Sequence, residues 1–212
     1  SQTDRQLCEH LDAGRIEEFI RLAVVNSYSI LLSGGTSSGK TTFLNAILKE
    51  VPVGERIITI EDTREVNPIQ QNHLPLVASK GDQGHARVTV ETLLQASMRL
   101  RPDRIFLGEI RGPEAYSFLR AINTGHPGSI TTVHADTPSG AFEQLALMVM
   151  QAGLGLRRDE IVAYIRSVLP IVIQQRKLGG WRGTSEVYFS KMADWRAAAD
   201  DGGGDPGARR RL

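Results

Sequence analysis

Ser33-Gly34-Gly35-Thr36-Ser37-Ser38-Gly39-Lys40-Thr41-Thr42 decides how the rest of the sequence is read. Gly34 and Gly39 are the outer glycines of the pattern G-x-x-x-x-G-K-[ST], Lys40 is its lysine and Thr41 its hydroxyl residue. Residues with little side chain let successive backbone N–H groups turn inward around a phosphate chain. The helix that follows aims its unpaired N-terminal amides at the same anion. Lys40 is placed to reach the β- and γ-phosphates as a point charge, and the Thr41 hydroxyl to hold Mg²⁺. Gly35, Thr36, Ser37, Ser38 and Thr42 complete the cradle. The bland alternative is a flexible Gly/Ser linker. Residues 28–32 read as a short buried strand, however, and residues 42–48 as a helix with Phe43, Ala46 and Ile47 on one face. A linker would not join two such apolar segments.

Outward from this stretch, the composition sets limits. The chain has 212 residues, 41% of them hydrophobic, enough for one α/β domain with a real core. A formal net charge of +1 provides no bulk attraction to nucleic acid or to an anionic membrane. Cys8 is the only cysteine, so no internal disulfide can form. No apolar run approaches the roughly 18 residues that a transmembrane helix needs, and no signal peptide opens the chain. These features point to a cytoplasmic protein.

Residues 1–11 are polar and read as the end of a linker. Asp12 is a candidate cap for a helix in which Ile16, Phe19, Ile20 and Ala23 recur at helical spacing. After a turn at Pro52 and Gly54, residues 56–60 form a second strand that ends in Glu61 and Asp62. Residues just past the carboxyl ends of strands in an open α/β sheet face the ligand crevice, so either carboxylate could handle Mg²⁺ or water there. A solvated charged turn is the alternative. Residues 66–88 read as a long loop or hairpin, and residues 76–82 loosely match a guanine-reading motif, with Ser79 where asparagine is usual. A helix over residues 91–100, with Leu93, Ala96, Ser97 and Leu100 on one side, stops before Pro102. The apolar strand that follows ends in Glu109, where a Walker-B acid belongs to hold the water shell of a metal or to polarise the attacking water. Helix 114–122 leads to a strand over residues 129–133 that ends in His134, on the same crevice. Helices led by Phe142 and Asp159 precede a closing hairpin of residues 168–175 and 184–189 across Gly179-Gly180. Residues 190–212 read as a flexible Gly/Ala/Arg tail. The expected fold is α/β, with a mostly parallel central sheet flanked by helices.

Taken together, these blocks resemble the type II/type IV secretion ATPase superfamily, and most closely the hexameric traffic ATPases of type IV secretion and conjugal DNA-transfer systems. Four blocks carry the resemblance in the family's order: residues 34–42 as Walker A, 60–63 as the Asp box, 98–105 through 108–112 as Walker B, and 123–129 through 134–136 as the His box. The resemblance implies a RecA-like P-loop domain over residues 12–189 that hydrolyses ATP with Mg²⁺ in a homo-hexamer. It implies docking on the cytoplasmic face of the inner membrane beside other secretion subunits, with no direct nucleic-acid site. Carried over by position, Lys40 and Thr41 hold phosphates and metal. Glu61 is the Asp-box carboxylate, Glu109 the Walker-B glutamate and His134 the His-box sensor. Glu61 and Glu109 also approach the metal, partly through water. Gly108 stands where most P-loop ATPases carry an aspartate, which shifts the burden to Glu109 and Glu61. Arg99, Arg101 and Arg111 are candidates to offset transition-state charge, in cis or across a subunit boundary. The family's N-terminal domain is expected to be absent, because only 27 residues precede Tyr28. Two other functions compete: a P-loop GTPase or kinase, and a nucleotide-binding assembly subunit without hydrolysis of its own.

Overall fold

The central strands of this chain are short and buried along their whole length, which suits strands covered on both faces by helices. The computed structural model describes residues 1–79 and 88–201, the side chains of 199–201 excepted. Among these residues one seven-stranded sheet is built from β1 (Ile30–Gly34), β2 (Ile57–Glu61), β3 (His73–Val77), β4 (Arg104–Leu107), β5 (Ile130–Val133), β6 (Ile171–Leu178) and β7 (Trp181–Phe189). The order is β3-β2-β4-β5-β1-β6-β7, with every pairing parallel except β6–β7. The expected mostly parallel sheet with a closing hairpin at its edge is therefore the fold.

Alternation along each strand splits the core into two layers. Leu31, Ile58, Ile60 and Leu107 face α4 (Val90–Arg99), α5 (Glu114–Asn123), α6 (Pro138–Met150) and α7 (Arg158–Val168). Ile30, Leu32, Ile57 and Phe106 face the opposite layer, with α1 (Gln2–Asp12), α2 (Ile16–Val25), α3 (Lys40–Leu48) and α8 (Met192–Asp201). No helix among the described residues is long and apolar enough to cross a membrane.

Several local expectations are corrected. Residues 1–11 are helix α1 rather than a linker: Leu7 and Cys8 are buried, and Tyr28 Oη donates to Asp4 Oδ1 at 2.7 Å. Asp12 ends that helix, and the residue ahead of α2 is Arg15, with no side-chain cap. Within 66–88 lies a strand, β3, which tolerates Pro75 because it is an edge strand with an unpaired side. Leu76 and Val77 of the guanine-like stretch belong to it, while Lys80 to Asp82 lie outside the described residues. The buried faces of two helices are rotated from the expected ones: α3 buries Leu44, Ile47 and Leu48 rather than Ala46, and α4 buries Leu94 and Ser97 rather than Ala96 and Leu100. The segment expected as a tail begins with α8, whose Met192 is buried, and residues 202–212 lie outside the described ones.

Arg104, at the start of β4, is only 1% exposed, so its charge has to be met inside the protein. Glu55 takes it in a fork, with Nη2 to Oε1 at 2.8 Å, while Nη1 donates to the Val24 carbonyl at 2.7 Å and Nη2 to Ser27 Oγ at 3.2 Å. This one side chain ties α2, the turn before β2 and β4 together at the end of the sheet away from the strands' carboxyl ends. Arg104→Ala should cost about 3–5 kcal/mol, the usual penalty for breaking a buried ion pair from one side. Urea unfolding checks it: a midpoint within error of the parent's would show that the pair is dispensable.

Candidate active site

Because β1, β2, β4 and β5 run parallel, their carboxyl ends open on one edge of the sheet. There a cleft of about 650 Å³ lies between the loops, within the range of small-ligand sites. It is lined by residues 36–42 after β1, Glu61 and Asp62 after β2, Glu109 and Arg111 after β4, and His134 after β5.

The loop after β1 is a tight cradle. Ser37 and Gly39 both adopt positive φ, 58° and 93°, and Gly39 begins α3. Gly34 is required by close approach: a Cβ there would sit 2.5 Å from Ser38 Oγ and 2.6 Å from the Gln175 carbonyl. Lys40 Nζ donates to the carbonyls of Gly34 at 2.6 Å and Gly35 at 3.0 Å, and burial holds its pKa below the usual lysine range. An ammonium bonded only to carbonyl dipoles in a partly desolvated loop is poised for an anion.

The two carboxylates differ in kind. Glu61 is buried; its Oε1 accepts from the backbone amides of Glu65 and Val66, each at 2.9 Å, which pins the loop after β2. Its Oε2 has no partner among the described residues. Burial pushes its pKa up, opposed by those two amides. Glu109 is held instead by side chains: Oε1 lies 2.8 Å from His134 Nε2 and Oε2 2.6 Å from Arg111 Nη2. Arg111 also reaches Asp62 at 3.1 Å, and its bond to Glu109 raises its pKa further. Gly108 now has a physical reason, since a Cβ there would stand 3.1 Å from Glu61 Cγ. The usual aspartate at that position would compete with Glu61 for the same space.

The cradle residues, Glu61, Glu109, His134 and Arg111 are thus brought together, whereas Arg99 and Arg101 are not. Arg99 ends α4 and Arg101, with φ 54°, precedes β4; both are exposed at the end of β4 opposite Glu109. Of the two alternatives given for them, a contact in cis or one across a subunit boundary, only the second is compatible with these positions. Sequence reading missed Arg182 of β7, which lines the cleft and donates from Nε to the Ser37 carbonyl at 3.0 Å. It also missed Gln174, whose Nε2 at 3.0 Å joins Ser33 Oγ at 3.2 Å on the Ala135 carbonyl and so fixes the residue after His134. A lone arginine beside a hairpin turn and a strand glutamine carry no spacing signal that could have revealed them.

No group of three or more His, Cys, Asp or Glu able to hold a metal exists among the described residues. Mg²⁺ keeps several waters and is carried by one or two protein oxygens together with substrate phosphates. Thr41 at the start of α3 and the unpartnered Glu61 Oε2 are oxygens of the right kind.

Residues 10–179 match the family described as "Type II/IV secretion system protein". The chain is 44% identical over 173 residues to "Type IV secretion system protein VirB11" of Bartonella quintana (strain Toulouse), covering 81% of this chain and 49% of the relative. It is 41% identical over 171 residues to "Type IV secretion system protein PtlH" of Bordetella pertussis, covering 79% and 50%. Among solved structures, the VirB11 ATPase from the Brucella suis type IV secretion system, in complex with sulphate, superposes with a TM-score of 0.82 at 36% identity. That match covers 91% of this chain and 59% of the other. The likeness agrees with the RecA-like fold expected from the sequence. The chain spans about half the length of the curated relatives it matches.

Proposed function

The chain belongs to the type II/IV secretion system protein family, and on that premise we propose that it is the nucleotide-binding domain of an ATPase that powers a type IV secretion machine. The observation that carries this reading is the convergence of residues 36–42 of the cradle, Glu61, Glu109 and His134 on one cleft. The Brucella relative at 36% identity is described as an ATPase, which supports this reading from outside.

In this reading the amides of residues 34–42 and Lys40 bind the phosphates of ATP. Mg²⁺, held by Thr41 and approached through water by Glu61 and Glu109, would neutralise charge on the phosphate oxygens. Glu109 orients the attacking water and accepts its proton as ADP and phosphate form. To do so it exchanges one of its two partners for that water, so release of Arg111 or His134 gates the step. His134, bonded to Glu109 and followed by the anchored Ala135 carbonyl, reports the occupancy of the terminal-phosphate position. Arg111 is engaged within its own cleft, whereas Arg99 and Arg101, exposed and distant from it, are the arginines we assign to a neighbouring subunit's site. A homo-hexameric ring attached peripherally to the cytoplasmic face of the inner membrane, in contact with other secretion subunits, is the assembly that would use them.

Phosphate release at increasing protein concentration tests the reading. Sites shared between neighbours make specific activity climb with concentration, and chelation of Mg²⁺ should abolish it. Release that stays absent at every concentration, from material that binds ATP, would instead indicate a nucleotide-binding assembly subunit. Strong preference for GTP would point to the GTPase reading.

A further inference from the structure

Arg182 lines the cleft and has no part in the proposed reaction. It lies in the second position of β7, directly after the two-residue turn Gly179-Gly180, where Leu178 pairs with Trp181. Gly179 has φ 58°, and glycine at the first central position is what the II′-type hairpin turn favours. The hairpin is tied closely to the cradle: Gly34 pairs with Gln175 across β1 and β6, with the backbone contact that forbids a side chain at Gly34. From that platform Arg182 reaches over the loop, with Nε on the Ser37 carbonyl, and its Cδ would be 3.9 Å from a Cβ at Gly39.

Its charge stands apart from the others in the cleft. Arg111 is paired with Asp62 and Glu109, and Lys40 is held by two carbonyls at the cradle where it meets the phosphates. The Nη groups of Arg182 have neither a hydrogen bond nor a carboxylate partner among the described residues, although the side chain is fixed through Nε. A guanidinium anchored at one edge with its other donors unused is preorganised for a planar or anionic ligand.

The sheet order indicates which end of the ligand meets it. Along the open edge the order is Glu109 after β4, His134 after β5, the cradle after β1, and then the β6–β7 hairpin with Arg182. If the terminal phosphate lies toward Glu109, as the proposed function holds, the remainder of the nucleotide extends past the cradle toward the hairpin. Resting on that reading, we propose that Arg182 binds the nucleoside end of the nucleotide, against the face of the purine, and so distinguishes nucleotides from bare polyphosphate.

Titration of the intact protein and of Arg182→Ala with Mg²⁺ and, separately, ATP, ADP and inorganic tripolyphosphate tests this. The variant should bind ATP and ADP about tenfold more weakly, the loss of one cation–π contact, with tripolyphosphate affinity unchanged. An exposed arginine is not expected to affect folding, and a thermal melt of the variant verifies that. An unchanged ADP affinity overturns the proposal. So does an equal loss for tripolyphosphate, which would make Arg182 only a brace for the loop, and so does a loss confined to ATP, which would put it at the terminal phosphate. If the parent protein binds none of the three, the nucleotide reading fails and takes this inference with it. If the parent binds but the variant matches it, only the role of Arg182 fails.

Discussion

Lys40→Ala should lower the affinity for Mg-ATP by two to three orders of magnitude. In the structure the ammonium bridges the carbonyls of Gly34 and Gly35, is almost fully buried, and carries a pKa depressed by that burial. Two unit charges about 4 Å apart at a partly buried site interact by about 4 kcal/mol at an effective dielectric of 20. Part of that is offset by breaking the two carbonyl bonds, leaving about 3–4 kcal/mol, or roughly 10²–10³ in affinity. The same carbonyl bonds brace the empty cradle, so the variant should also be slightly less stable. Calorimetric titration beside a thermal melt separates the two effects. Tight ATP binding by a folded Lys40→Ala protein would refute the assignment of residues 34–42 as a phosphate cradle. A variant that binds weakly but melts like the parent would show that the lysine serves the ligand rather than the loop.

How much of this was legible in the sequence depends on whether a residue's role is local. The cradle was, because glycine spacing and the lysine encode a backbone conformation within ten consecutive positions, and Gly34 and Gly39 are glycines for reasons visible in φ and in close contact. The parallel sheet was legible because short apolar runs alternate with helical periodicity. Glu61, Glu109 and His134 were found because each follows an apolar strand, and strand ends in a parallel sheet share one edge. The helix faces were less legible: Ala46 and Leu44 both fit a helical period, and only the position of the sheet decides which is covered. The strand at β3 was hidden by Pro75, tolerable only at an edge, and edges are a property of strand order. Residues 1–11 look polar because a single side of α1, Leu7 with Cys8, meets the core. Arg104, Gln174 and Arg182 were illegible for the same reason in three settings. Each acts on a group 39 or more positions away, from Gln174 on Ala135 to Arg182 on Ser37, and no pattern in one sequence records such a pairing.

Glu109→Gln should leave ATP binding within a few-fold of the parent while reducing hydrolysis by about 10²–10⁴, the range in which general-base groups contribute. Binding survives because the phosphates are gripped by backbone amides and Lys40, none of which touches position 109. Hydrolysis fails because the amide is uncharged and non-basic, so it neither accepts the proton of the attacking water nor favours the hydroxide-like character that develops. An interaction made only in the transition state lowers turnover without weakening the ground-state complex. The geometry adds a second consequence. Glu109 now accepts from Arg111 at one oxygen and neighbours His134 at the other. An amide offers one acceptor only, so its NH₂ must face one of these partners, and the Arg111–Asp62 pair should persist without it. Single-turnover phosphate release and a binding titration on the same material measure the split. Parent-like turnover in Glu109→Gln, with loss in Glu61→Gln, would transfer the base to the buried carboxylate, whose unpartnered Oε2 is the competing acceptor. Glu61→Gln carries a confounding effect that Glu109→Gln lacks: its Oε1 pins the amides of Glu65 and Val66, so any loss of rate there must be read beside a loss of stability. Glu109, partly exposed and held only by side chains, can be altered with little cost to the fold, and its rate effect is therefore the cleaner measure of where the proton goes.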